Sequence, residues 1–101
     1  DVKIHVEVLG NRPCMGDVDT DKMNTLVQKA SDIITLYTNT PPILESGSTD
    51  CNMSYSLGIE GCCFGGYLGR GAHTREEYIE IDSLEIGMSI VMHFILTYFT
   101  K

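Results

Sequence analysis

A glycine-rich segment in the second half of the chain carries a histidine followed by two glutamates. It reads GRGAHTREEY and spans residues 69–78. Glycines allow a backbone to approach a ligand closely, and an imidazole on a loop over a rigid scaffold suits a metal ligand or an acid–base group. A surface histidine with no such role fits the same residues and is the commoner case for a single histidine on a loop, so this segment alone favours it.

A second polar segment, GSTDCN, spans residues 47–52. Its hydroxyl and amide groups have the chemistry to hydrogen-bond the polar atoms of a substrate. An Asx or Ser/Thr turn that leads into a helix or a strand has the same composition. Taken alone, the segment favours an ordinary turn over a binding site.

The cysteines, Cys14, Cys51, Cys62 and Cys63, show no CxxC spacing, which argues against a zinc ribbon or a thioredoxin-type site. Cys62 and Cys63 are adjacent, so they cannot both lie on one face of a strand. We predict that the cysteines are small buried hydrophobes in a reducing cytoplasm. A redox role for Cys62 and Cys63 is a weaker alternative, because a disulfide between sequence neighbours is strained.

Three longer elements would have to position these segments. Residues 2–9 alternate between apolar and polar side chains, which predicts a strand with one covered face. Apolar residues at helical spacing predict a helix over residues 21–37, with capping oxygens at its start. A last helix is predicted over residues 83–99, and because it is apolar on nearly all sides, something further should pack on it.

Shorter elements connect these three. Residues 61–64 predict a buried strand between glycines, and residues 77–81 predict a short extended segment. Asp82 and Glu85 match a variant of the capping box at the start of the last helix. Together, the elements favour an α/β fold.

Composition limits the classes of function. The chain has 101 residues with 7 basic and 14 acidic side chains, which gives a net charge of −7. We predict one domain and no nucleic-acid partner, since phosphate binding depends on Lys and Arg. The apolar stretch at residues 86–99 is too short, and too interrupted by polar residues, to span a bilayer. No secretory signal is visible at the start, so we expect a cytoplasmic protein with no membrane partner.

The order of the two polar segments resembles a family signature. GSTDCN at residues 47–52 is followed by SLGIEGCCFGGYLGRGAHTREEYIEIDSL at residues 56–84. This order is similar to the C-terminal signature of the zinc-dependent aminoacylase, peptidase-T and carboxypeptidase-G superfamily of metallopeptidases. Upstream, VEVLGNRPCMGD at residues 6–17 resembles the return from that family's small dimerisation domain into its catalytic domain. The resemblance covers essentially the whole chain.

The resemblance implies a domain division and a set of site residues. Residues 1–10 would be the end of a dimerisation-domain strand, and residues 11–101 would be the C-terminal part of a catalytic domain whose sheet is flanked by helices. His73 would be a zinc ligand. The residues that would contact substrate or line its cleft are Thr49, Gly69 and Gly71.

Other matched residues would support that site. Asp50 and Asn52 would hold the shape of the turn, and Glu77 would orient the histidine loop. In the family the general base and the remaining ligands lie in an N-terminal half, and no H-x-D motif with a following Glu-Glu pair occurs in this chain. His5 and His93 are not expected to be ligands, because solvent-facing or hydrogen-bonded histidines account for them.

The implied function is that of the C-terminal part of a two-zinc metallopeptidase, similar to aminopeptidases or to di- and tripeptidases. Such an enzyme hydrolyses an amide bond of a peptide or an N-acyl amino acid with metal-activated water, and at full length it is a homodimer. One ligand cannot hold zinc, so this portion alone is expected to be inactive. The alternative is a non-catalytic α/β binding or assembly module that retains the peptidase-like fold.

Overall fold

The computed structural model describes residues 1–100. Within them the chain forms three helices, α1 (Thr20–Thr38), α2 (Cys51–Ser56) and α3 (Ser83–Leu96). Strands β1 (Gly69–Arg70) and β2 (Tyr78–Ile79) pair as an antiparallel hairpin. The mixture of helices and strands agrees with a loosely α/β class, and the sheet of this part of the chain is the hairpin alone.

The first helix confirms the prediction for residues 21–37. The Asp19 carboxylate caps it by accepting hydrogen bonds from the backbone N–H groups of Asp21 and Lys22, each at 3.1 Å. It ends where Asn39 adopts a left-handed conformation, with φ of 55°, and donates its N–H to the carbonyl of Thr35. A short polar side chain tolerates this conformation better than most, which explains why asparagine ends the helix.

The last helix confirms the predicted start at residue 83 and ends at Leu96, three residues before the predicted end at 99. The predicted capping box is wrong, because the side chain of Asp82 makes no capping hydrogen bond. The neighbouring Ser83 does not cap the helix either, but bonds to the chain before it: its Oγ donates to the carbonyl of Glu80 at 2.6 Å and accepts the N–H of Leu68 at 2.8 Å. The start of α3 is thereby joined to the residue that precedes β1.

Helices α1 and α3 pack against each other and provide most of the core. Ala30 and Ile33 of α1 and Ile90 of α3 are buried. The ammonium of Lys29 donates to the carbonyl oxygens of Thr97 and Thr100, just beyond the end of α3. Because the last carbonyls of a helix carry partial negative charge, this contact also favours the packing of the two helices.

A glycine allows the chain before the hairpin to lie directly on α3. Gly87 is buried, and a β-carbon on it would overlap the carbonyl oxygen of Gly66. A β-carbon on Gly66 would lie 3.6 Å from a methyl group of Val91 on the same helix. The backbone at residues 65–66 therefore touches the helix backbone, and this contact sets the position of the hairpin base.

Two predicted strands are wrong. Residues 2–9 form no ladder with any other part of residues 1–100, and the side chains of Val2, Ile4, Val6 and Val8 are 80–91% exposed. Residues 61–64 are irregular and only half-buried or exposed. Alternation determines which side chains share a face, but a strand also needs a hydrogen-bonding partner, and the pattern does not supply one. The extended segment predicted at residues 77–81 is confirmed by β2.

The cysteines are less buried than predicted. Cys14 and Cys63 are exposed, and Cys51 and Cys62 are half-buried. The core of the described chain is small, with Val18 as the only buried hydrophobic residue outside α1 and α3. Burial in a core therefore does not explain these thiols. No helix in residues 1–100 combines the length and the apolar run that a bilayer crossing requires.

Candidate functional site

His73 lies in the loop of the hairpin formed by β1 and β2. Gly69 pairs with Ile79, and Arg70 pairs with Tyr78, which leaves residues 71–77 as the connection. Thr74 closes the first turn of this loop, since its N–H and its hydroxyl both donate to the carbonyl of Gly71, at 2.9 and 2.6 Å. The loop is therefore held by its own hydrogen bonds.

The backbone of His73 has an uncommon conformation. Its φ is 66°, in the left-handed region that few residues other than glycine adopt. Its N–H donates to the carboxylate Oε2 of Glu77 at 3.2 Å, which holds this conformation in place. The imidazole is exposed. Strained backbone often occurs where a side chain must project in a fixed direction, and this loop projects an imidazole into solvent.

Glycines at two hairpin positions are required by the hairpin itself. A β-carbon on Gly69 would overlap the carbonyl oxygen of Tyr78 on the facing strand and would lie 3.2 Å from the ring of Tyr67. Gly71 has a φ of 72°, which a side chain would strain. Both glycines are exposed, so their backbone is also accessible from outside. The geometry of the hairpin therefore explains why both residues are glycine, with or without a contact to substrate.

The Thr49 turn, residues 47–52, is held by a network of hydrogen bonds. Thr49 Oγ1 accepts the N–H of Cys51 at 3.2 Å, and the carbonyl of Thr49 accepts the N–H of Asn52 at 3.0 Å. Asn52 Oδ1 in turn accepts the N–H of Thr49 at 3.2 Å, while its Nδ2 donates to the carbonyl of Pro13 at 3.0 Å. Asn52 thus holds the shape of the turn and joins it to the segment before α1. Asp50 makes no capping hydrogen bond to α2.

A shallow cavity of about 210 Å³ opens beside this turn. It is lined by Asn11, Arg12, Pro13, Thr49, Asp50, Asn52 and Met53. The guanidinium of Arg12 donates to Ser48 Oγ at 3.2 Å and remains exposed. A guanidinium binds a carboxylate through two parallel hydrogen bonds, so Arg12 gives the cavity a specific chemistry.

Arg12 was not among the residues predicted from the sequence. It lies between Asn11 and Pro13 in a segment that the sequence marks only as a turn. The signal that could have identified it is its charge, since basic residues are few in this acidic chain. Its neighbourhood with Thr49 depends on the fold, because the hydrogen bond to Ser48 spans 36 residues.

The structure does not bring all the predicted site residues into one cavity. Thr49 lines the cavity beside Arg12, whereas His73, Gly69 and Gly71 lie on the hairpin and line no part of it. Across residues 1–100, no three His, Cys, Asp or Glu side chains converge to hold a metal ion. His73 can supply one imidazole nitrogen, while a zinc site takes three or four protein ligands.

The other two histidines have different surroundings. His5 lies in the exposed N-terminal segment. His93 is on α3, where its Nδ1 and the hydroxyl of Tyr37 share a hydrogen bond of 3.2 Å and the two rings meet edge to face. This contact joins α3 to α1 and gives His93 a structural role.

No family model matches the chain, and it matches no curated protein and no solved structure. The functional argument therefore rests on the placement of the side chains and on the order of the two polar segments in the sequence. Two exposed groups could bind a metal ion or a substrate: the imidazole of His73 on the hairpin and the guanidinium of Arg12 beside the Thr49 turn.

Proposed function

We propose that this chain is the C-terminal part of a two-zinc metallopeptidase, in which His73 binds one of the zinc ions. The supporting observation is the His73 loop, where a left-handed backbone, fixed by Glu77, projects an exposed imidazole from a hydrogen-bonded hairpin. Imidazole is a preferred zinc ligand, and the contact with Glu77 fixes the backbone from which this one projects. The order of motifs that contain this histidine is the reason for choosing a peptidase over other zinc proteins.

The imidazole of His73 can fill one ligand position of a zinc ion, and the remaining positions need other ligands. No second ligand from residues 1–100 lies with His73 in a metal-binding group. We therefore place the other ligands and the general base in a preceding part of the complete protein, and expect this portion alone to be inactive. Bound zinc supplies the Lewis acidity that activates water and stabilises negative charge in amide hydrolysis.

The Arg12 cavity suits the substrate of such an enzyme, a small peptide or an N-acyl amino acid. Both carry a free carboxylate, which the exposed guanidinium of Arg12 can bind. Thr49 Oγ1 accepts the N–H of Cys51, so its own proton remains available for an oxygen of the substrate. We assign Gly69 and Gly71 to the lining of the cleft, because their exposed backbone lets a substrate approach the hairpin closely. The complete protein is proposed to be a cytoplasmic homodimer.

The decisive experiment replaces His73 in the complete protein. With His73→Ala we expect about one zinc per subunit to be lost, and hydrolysis of dipeptides and N-acyl amino acids to fall by more than about 100-fold. Zinc is measured by mass spectrometry of the metal content, and hydrolysis by release of the free amino acid. The matched control is His5→Ala, another exposed histidine, which should change neither quantity. Unchanged zinc content in His73→Ala would refute the proposal.

A second candidate is a non-catalytic binding or assembly module. It is favoured by the apolar side chains of Val2, Ile4, Val6 and Val8, which are exposed in a row on the N-terminal segment. The same metal analysis separates the two candidates. A complete protein that contains no zinc and hydrolyses no peptide, but forms a stable complex through this segment, would favour the module.

A further inference from the structure

A group of thiols lies where α2 meets the chain at residues 61–63. Cys51 and Tyr55 are four residues apart on α2 and therefore share one face of the helix. The hydroxyl of Tyr55 donates to the carbonyl of Gly61 at 2.9 Å. A β-carbon on Gly61 would lie 3.9 Å from the Sγ of Cys51 and 3.6 Å from the ring of Tyr55. The helix thus holds the sulfur of Cys51 against the chain one residue before Cys62.

The ionisable groups at this contact affect one another. Burial raises the pKa of the Cys62 thiol, and the neighbouring thiols of Cys51 and Cys63 raise it further, Cys51 more than Cys63. Burial also raises the pKa of Tyr55, with added effects from the same three cysteines. Cys51 therefore influences Cys62 more strongly than the adjacent residue in the sequence does. Cys51 and Cys62 are both half-buried at this contact, and Cys63 beside them is exposed.

Packing alone is a poor explanation for this group. Cys51 and Cys62 are only half-buried, and Cys63 is exposed, so hydroperoxides in solution can reach them. Metal binding is also a poor explanation, since no metal-binding group of three side chains occurs in the part of the chain that the structure describes. Of the possible disulfides, the one between Cys62 and Cys63 is disfavoured, because neighbouring residues in a chain form it only with strain.

We propose that Cys51 and Cys62 form a reversible disulfide when the protein meets a hydroperoxide. In the first step the thiolate of Cys51 attacks the peroxide, the O–O bond breaks, and an alcohol or water leaves as Cys51 becomes a sulfenic acid. In the second step the sulfur of Cys62 attacks the sulfenic sulfur, the S–S bond forms, and water leaves. Overall the two thiols lose two electrons and two protons, and the hydroperoxide is reduced.

The direction of attack follows from the surroundings of the two sulfurs. Burial and the neighbouring thiols raise the pKa of Cys62, so a smaller share of it is present as thiolate, the form that attacks a peroxide. We therefore assign the first attack to Cys51 and the second to Cys62, which reacts as its thiolate once the sulfenic acid of Cys51 has formed beside it. The disulfide would tie the start of α2 to residues 61–63 and reinforce the contact that Tyr55 already makes there. This chemistry does not depend on whether the protein is a peptidase.

The test is a map of the oxidised protein. The reduced protein is treated with hydrogen peroxide, the remaining thiols are alkylated, and the chain is cleaved after its glutamates. Cleavage after Glu45, Glu60 and Glu76 puts Cys51 in residues 46–60 and the Cys62–Cys63 pair in residues 61–76. We expect these two fragments to be joined, and to separate on reduction with dithiothreitol. Sulfinic acids without a joined product would overturn the proposal.

Serine variants identify the participants. The joined fragments should persist in Cys63→Ser and in the control Cys14→Ser, and should disappear in Cys51→Ser and Cys62→Ser. In Cys62→Ser, trapping with dimedone should reveal the sulfenic acid of Cys51, since the resolving thiol is missing. A joined product that persists in Cys62→Ser, or disappears in Cys63→Ser, would assign the disulfide to Cys63 and refute the proposed pair. The wild-type map stands as a test even if a variant fails to fold.

Discussion

The Thr49 turn and the His73 hairpin are held in place in opposite ways. In the hairpin the hydrogen bonds join residues within 69–79, including the contact between His73 and Glu77. In the turn, Asn52 reaches the carbonyl of Pro13, 39 residues earlier in the chain, and Arg12 reaches Ser48. The hairpin therefore defines its own shape, and the turn depends on the rest of the fold for its shape. The position of the hairpin is a separate matter, since it rests on the contact between Gly66 and Gly87 and on the hydrogen bond from the N–H of Leu68 to Ser83.

The largest loss of stability is expected from Gly87→Ala. This substitution disturbs the position of the hairpin and changes no residue within it. The added methyl group would overlap the carbonyl of Gly66, and backbone on both sides leaves little room to adjust. Forcing atoms into such a contact lowers the free energy of unfolding by about 3 kcal/mol. Urea denaturation followed by circular dichroism measures the loss.

The control for Gly87→Ala is Met88→Ala, since Met88 is the next residue of α3 and is exposed. It should change the free energy of unfolding little. In the folded fraction of Gly87→Ala, the His73 amide should keep its protection from hydrogen exchange, because Glu77 still accepts it. Equal stability of the two variants would mean that the helix and the chain at residue 66 are not in backbone contact.

An intermediate effect is expected from Asn52→Ala in the turn. The substitution leaves the N–H of Thr49 and the carbonyl of Pro13 without their partner. Loss of hydrogen bonds to partly buried groups lowers the free energy of unfolding by about 1 kcal/mol. Hydrogen exchange of the Thr49 amide should become faster, which mass spectrometry of deuterium uptake measures.

Asn11→Ala is the matched control for the turn, since Asn11 lines the same cavity and contributes none of these hydrogen bonds. It should leave the exchange rate of the Thr49 amide unchanged. If the two variants accelerated exchange equally, the turn would be held by packing along the cavity and not by the side chain of Asn52.

The smallest effect is expected from Glu77→Ala in the hairpin, and it should remain local. Removal of the carboxylate frees the N–H of His73, so the exchange of this amide should accelerate while the free energy of unfolding stays nearly constant. Glu77→Gln retains an acceptor oxygen and should preserve most of the protection. An Ala variant that loosens the Thr49 amide as well would show that the two regions are coupled after all.

Sequence reasoning succeeded where a pattern repeats over many residues. The helical spacing of apolar residues identified α1 and α3, because a helix satisfies its own backbone and needs only one face covered. It failed at residues 2–9 and 61–64, where a strand would need a partner from elsewhere. The cap of α3 was assigned to Asp82, whose side chain makes no capping hydrogen bond. The motif supplies the residue types of a cap but not its backbone conformation, and Asp82 is helical, with φ of −63° and ψ of −19°, where a capping residue is usually extended.

The candidate site residues show the same difference between local patterns and contacts that depend on the whole fold. The loop that carries His73 could be expected from the sequence, because the residue types of a short glycine-rich segment favour a tight loop, while the role of His73 as a ligand stays a prediction. Arg12 could not, since its role depends on a contact with a segment 36 residues away. The exposed Cys14 and Cys63 were predicted to be buried because burial is common for cysteine, and no local pattern reveals how large a core will be.

A loop whose conformation is held by its own residues can be transferred to another protein. Residues 69–79 carry the two strand pairs, the left-handed His73 and its Glu77 partner within eleven consecutive positions. An isolated hairpin with such short strands is unstable in water. Inserted between two longer paired strands of another protein, however, it should present the same imidazole with the same backbone geometry. Protein designers who need one preset histidine at the tip of a hairpin have here a portable unit for building a metal site.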